Sequence, residues 1–133
     1  MAYRYTDKDL ESAVRGLNII AGFTLEEAYA PIWTQTEEGQ NRAMVGRYYV
    51  SAAYGGWKLV QIVSEAGAER SITDGYGTKR EVYHLIHAYR EGMAASGDDR
   101  YSLAALREAI PAERERSRKE REAWAARLQE VAG

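Results

Sequence analysis

Cysteine is absent from this 133-residue chain. That excludes disulfides, thiolate metal sites and thiol catalysis, and it fits a reducing compartment. No apolar run approaches the roughly 18 residues that a membrane-spanning helix needs. The opening Met1-Ala2-Tyr3-Arg4-Tyr5 is polar and lacks the apolar core of a signal peptide, so a soluble cytoplasmic protein is expected. Charge of neither sign dominates: 18 basic against 20 acidic side chains leave a formal net charge of -2. A nucleic-acid binder usually carries a strong basic excess, so such a role here would need a local patch. The chain also lacks a nucleophile elbow, a P-loop and a dinucleotide fingerprint, so neither an enzyme nor a cofactor is expected.

Phenylalanine is nearly missing as well, with one residue against ten Tyr and three Trp. Amphipathic aromatics suit half-buried sheet faces, because one end is apolar and the other can stay wet. Hydrophobic residues at 45% and charged residues at 29% are ordinary for a globular domain, and the length suits one domain better than two.

Thr6 can cap a first helix, with Asp7 and Asp9 in its first turn where the helix dipole favours negative charge. Leu10, Ala13, Val14, Leu17, Ile20 and Ala21 recur at helical spacing, Ile19 points away from that stripe, and Gly22 is a natural stop. Beyond it, Thr24-Leu25-Glu26-Glu27 reads as a short helix start that Pro31 would end. Ile32-Trp33-Thr34 reads as a short edge strand and Glu37-Glu38-Gly39-Gln40-Asn41 as a turn or loop.

The firmest signal is a hairpin over residues 48–63. Two β-rich runs, 47–54 and 57–64, flank Gly55-Gly56, and a two-residue loop of that kind supplies the positive φ values tight hairpins need. The expected register places Tyr54 opposite Trp57, Ala52 opposite Leu59, Val50 opposite Gln61 and Tyr48 opposite Val63. That face is apolar at every position but Gln61. A third strand follows at roughly 69–73. Thr78 and Glu81 then form a capping box for a second helix whose apolar face is Val82, Leu85, Ile86 and Tyr89 and which Gly92 would end.

A polar hinge is expected at Ser96-Gly97-Asp98-Asp99. After it come a short helix from Ser102 and a second, longer one that Pro111 would open and that runs to about Val131. Residues 113–122 carry five basic and four acidic side chains, with Glu115–Lys119, Arg116–Glu120 and Arg118–Glu122 at i,i+4. The expected architecture is α+β: helix, three-stranded antiparallel meander and helix (αβββα) over a core domain at 1–95, with a charged helical extension at 96–133.

Ala53-Tyr54-Gly55-Gly56-Trp57-Lys58-Leu59, Ser64-Glu65-Ala66-Gly67, Gly77-Thr78-Lys79-Arg80-Glu81-Val82-Tyr83 and Gly92 resemble small accessory proteins of tailed phages and prophages of actinobacteria. Leu17-Asn18-Ile19-Ile20-Ala21-Gly22 fits the same pattern, so the resemblance spans about two thirds of the chain and leaves out residues 23–45 and those after about 94. It implies a setting, the cytoplasm of an infected bacterium, and no particular chemistry.

Trp124, Leu128 and Val131 make a short apolar stripe at the end of the charged helix. Such a stripe must bury itself against its own domain, a second copy or a protein partner. Binding of a host or phage protein, in host takeover or against host defence, is the expected function. The alternative is nucleic-acid binding through Lys79 and Arg80 at a helix start and Tyr49 on the mixed sheet face. The helix–three strands–helix order, shared with the double-stranded RNA-binding domain, lends that alternative a topological likeness. Tyr54 and Trp57 are expected to pack into the core instead. The remaining candidate is a metal-dependent hydrolase at His84, His87 and Glu91, which share one helix face, although the spacing is not that of the zinc proteases.

Overall fold

The computed structural model describes residues 3–96 and 101–132. Helices α1 (Asp7–Ala21) and α2 (Leu25–Tyr29) lead into a small hairpin of β1 (Trp33–Gln35) and β2 (Asn41–Ala43). A meander of β3 (Tyr48–Ala53), β4 (Gly56–Ile62) and β5 (Glu69–Ser71) follows, then α3 (Lys79–Ser96) and α4 (Leu103–Ala132). The fold is mixed helix and antiparallel sheet. It has a second small sheet and a second short helix that the αβββα expectation lacked. The hinge expected at Ser96-Gly97-Asp98-Asp99 lies, from residue 97 on, outside the described residues, and Ser96 itself closes α3.

α1 begins where Thr6 closes a full capping box with Asp9 and ends on Gly22 in the left-handed conformation, as its sequence signals require. Its buried face is Leu10, Ala13, Val14, Leu17 and Asn18, whereas Ile20 is exposed like Ile19. These residues meet Tyr48 and Leu59 on the sheet and Val82 and Ile86 on α3, so α1 and α3 cover one sheet face. On α3 the core-facing stripe runs from the buried Val82 and Ile86 to the half-buried Tyr89 and Met93, which leaves Leu85 on the outer side. Gly92 does not end that helix. It keeps negative φ, so it offers no left-handed cap, and α3 continues to Ser96.

The hairpin keeps its expected faces but not its expected loop. Ala53 pairs with Gly56, Ala52 with Trp57, Val50 with Leu59 and Tyr48 with Gln61. The two-residue loop is therefore Tyr54-Gly55, both at positive φ (53° and 74°). Gly56 is held in the ladder because residues 76–77 lie against it: a Cβ there would stand 3.0 Å from the Tyr76 Cβ and 3.2 Å from the Gly77 carbonyl oxygen. The pairing is displaced by two residues, and an even displacement preserves which side chains face the core. Ala52 on that face is nonetheless exposed, and Tyr54 is 96% exposed at the loop tip with its ring edge-on to Tyr76.

Two polar side chains tie the layers together. The Asn18 amide donates to the Tyr48 carbonyl (3.0 Å), and its oxygen accepts from the Tyr48 N–H (2.8 Å). Gln61, buried in β4, donates to the Gly46 and Tyr101 carbonyls and accepts from Arg70 Nε at 2.7 Å, and Arg70 also donates to the Tyr89 hydroxyl. Loss of a buried pair of this kind leaves its partners desolvated and unpaired. Asn18→Ala is accordingly expected to lower the free energy of unfolding by about 2–4 kcal/mol in a urea titration. A change below about 0.5 kcal/mol, the usual size for a surface substitution, would show that the bridge contributes nothing.

Candidate functional site

α4 is a single helix of 30 residues, not a short helix followed by a long one. Pro111 lies inside it. The ring forfeits one N–H, but the helix is already committed by Ser102, which accepts from the Ala105 N–H at 3.1 Å, and by the buried Leu103 and Leu106. Leu103 fills the space over Gly46, where a Cβ would come within 2.7 Å of Leu103 Cδ1 and 3.4 Å of Phe23 Cζ. Arg107 then pairs with Glu27 at 3.1 Å, and Arg114 makes a two-pronged pair with Glu65 at 2.7 and 2.8 Å.

Past that pair every described residue of α4 is exposed. Glu115 bonds Arg118 at 2.5 Å and stands 4.0 Å from Lys119. Arg116–Glu120 and Arg118–Glu122 are not ion pairs among the described residues, since Arg118 turns back to Glu115. Trp124, Leu128 and Val131 lie at i, i+4 and i+7, exposed by 61%, 54% and 86%. They share a sevenfold spacing with the residues by which α4 docks. Counting in sevens, Leu103 and Ile110 lead to Trp124 and Val131, and Arg107 and Arg114 lead to Leu128. An α-helix drifts about 20° over each seven residues, so two to four such steps turn the stripe by about 40–80° from the docked face.

Two of the three residues of the basic alternative have carboxylate partners. Lys79 Nζ sits 3.2 Å from Asp7 and 4.8 Å from the Trp57 ring centre, Arg80 is exposed, and Tyr49 lies on the sheet, donating its hydroxyl to Glu69. Burial, then the Glu69 carboxylate, push the Tyr49 phenol up to about 12. A carboxylate beside the intended stacking ring repels phosphate.

Nor do His84, His87 and Glu91 form a metal centre. Among the described residues no three His, Asp or Glu side chains come together to hold an ion. The imidazoles are engaged in an aromatic cluster with the N-terminal segment: His84 Nε2 is 3.3 Å from the Tyr5 hydroxyl, and the His87 ring lies 4.6 Å from that of Tyr83.

A different constellation, which the sequence reading passed over, lies between α1 and β3. A cavity of about 400 Å³ is lined by Arg15, Asn18, Arg47, Val50 and Trp57 among others. Arg47 reaches under α2 and donates to the Glu27, Ala28 and Ala30 carbonyls at 2.8–2.9 Å, capping the end of a helix whose own bonding there is limited to the Ala30 N–H on the Glu27 carbonyl. Burial, then the nearby Arg15 guanidinium, depress the Arg47 pKa. One signal was available: Asn18 interrupts an apolar helical stripe, and a polar group there needs a buried partner. Nothing local marked Arg47, whose role depends on the distant α2.

Comparison with protein-family models, curated proteins and solved structures finds no match to this chain. No described helix is long and apolar enough to cross a membrane.

The Arg114–Glu65 pair holds the Glu65 carboxyl below its ordinary value of 4.5. A depressed carboxyl stabilises above that ordinary value, and the contribution is lost as pH falls through the folded value. The docked turns of α4 are therefore expected to loosen below pH 4.5. With Arg114 half exposed, the effect should stay under about 1 kcal/mol. Amide hydrogen exchange over residues 110–115 would register it, and Glu65→Gln should flatten the dependence.

Proposed function

We propose that this chain is a non-catalytic binding protein, working in the cytoplasm of a phage-infected bacterium, that engages a host or phage protein through the projecting end of α4. In this reading α1, β3–β5 and α3 form the αβββα core, α2 and the β1–β2 hairpin are an insertion, and residues 96–133 are the extension that carries the contact. The observation behind the reading is the exposure of Trp124, Leu128 and Val131 on a helix whose first turns are anchored. Anchors at i, i+4 and i+7 suit a helix laid into an apolar groove, and Trp is among the residue types that most often dominate such contacts. The resemblance to phage accessory proteins supplies the setting, and the lack of catalytic motifs favours binding over turnover.

The test is a tagged pull-down from bacterial lysate, with and without nuclease, read by mass spectrometry beside the solution mass of the purified chain. One stoichiometric protein that survives nuclease and is lost with Trp124→Ala is the expected result. Because Trp124 is exposed, that variant should keep its stability within about 0.5 kcal/mol of the parent. Recovery of nucleic acid alone would move the function to another surface. A dimer abolished by Trp124→Ala would assign the stripe to a second copy of the chain.

A further inference from the structure

The cavity between α1 and β3 is lined by two arginines, Arg15 and Arg47, and among the described residues no carboxylate pairs with either. Arg15 stacks its guanidinium 3.9 Å from the centre of the Tyr29 ring, and no described residue forms an ion pair with it or accepts a hydrogen bond from it. Arg47 is only 9% exposed. A guanidinium carries five N–H donors. Arg47 commits three to the carbonyls of Glu27, Ala28 and Ala30, with the Met44 sulfur nearby, which leaves its Nε–H and one Nη2 hydrogen. The Nε atoms of both Arg15 and Arg47 are buried without an acceptor. Buried donors with no acceptor are uncommon in folded proteins, and two on neighbouring like charges call for an anion.

The rest of the lining limits what that anion is attached to. Leu10, Val14, Val50, Ala52 and Trp57 give the cavity an apolar wall, and its volume of about 400 Å³ is that of a small-molecule site. Asp7 and Glu11 also line it, toward the start of α1, and Asp7 is balanced by Lys79 at 3.2 Å. The cavity is therefore acidic at one end of α1 and basic about 12 Å along, at Arg15. An acid group seats at the basic end, and the body joined to it must be uncharged to pass the apolar wall and Glu11.

We infer that this cavity is a binding site for a small amphipathic anion, a carboxylate or phosphate head held by Arg15 and Arg47 with an apolar or aromatic body against Val50 and Trp57. Such a ligand reaches Asn18 and Tyr48 as well, the pair that joins α1 to the sheet. Its binding stabilises the native chain by mass action.

The site is tested by calorimetric titration of the full chain with phenylacetate, phenyl phosphate, inorganic phosphate and neutral phenylacetamide. At least one aromatic acid is expected to bind, tighter than inorganic phosphate, while phenylacetamide gives no heat over the same range. Chemical-shift changes should centre on Asn18, Val50 and Trp57. Arg15→Gln is expected to weaken binding about tenfold or more, the usual loss for a charge-assisted hydrogen bond. The relative affinity of phenylacetate and phenyl phosphate identifies the head group. Equal binding by phenylacetamide, undiminished binding by Arg15→Gln, binding of inorganic phosphate with no gain from the ring, or no binding by any acid would each overturn the inference. Arg47 is left intact because it holds α2. Should Arg15→Gln fail to fold, the comparison of acid with amide on the parent chain decides.

Discussion

Everything in the core depends on how one edge of the meander is closed. The strand order β3-β4-β5 leaves β3 with a free edge, and a free edge carries unpaired N–H and C=O groups that invite another strand. Asn18 answers the edge at Tyr48 with a side-chain amide, which offers the same donor and acceptor as a peptide group. The bond fixes the height of α1 against the sheet, so Leu17 falls over the interior and Arg15 falls at the rim of the adjoining cavity. A helix that buried only apolar residues there would have more freedom to slide, because the hydrophobic effect is not directional.

Arg47 does for α2 what Asn18 does for β3. A five-residue helix satisfies few of its own last carbonyls, and α2 would be marginal without outside help. The guanidinium takes three of these carbonyls at once and sets a formal positive charge at the negative end of the helix. The same stroke brings Glu27 into position to receive Arg107 from α4. Thus the docking of the C-terminal helix is linked, through α2, to a residue that directly precedes the central hairpin.

How much of this was legible depended on whether the cause was local. The boxes of Thr6 with Asp9 and Thr78 with Glu81 act over three residues, and the helix starts they mark are where α1 and α3 begin. The sheet face was legible from alternation. The loop was not, because Gly56 was needed in the ladder for the close approach of residues 76–77, and that approach is tertiary. β1 and β2, at three residues each, are too short to show a period. The apolar stripe on α4 could be read directly from spacing, whereas Ile20 and Leu85 shared a helical period with the core yet stay exposed among the described residues. Arg15 and Arg47 come from segments more than a hairpin apart in sequence, so only the folded chain brings their charges together.

At 1.5 Å per residue α4 is about 45 Å long, and less than half of it rests on the domain. It is therefore a lever with its fulcrum near the Arg114–Glu65 pair. Any angular play at that fulcrum is multiplied at Trp124, some ten residues out. The pair is partly open to water, so dissolved salt weakens it. The direction in which this protein points its arm is thus a property of the ionic medium as much as of the fold.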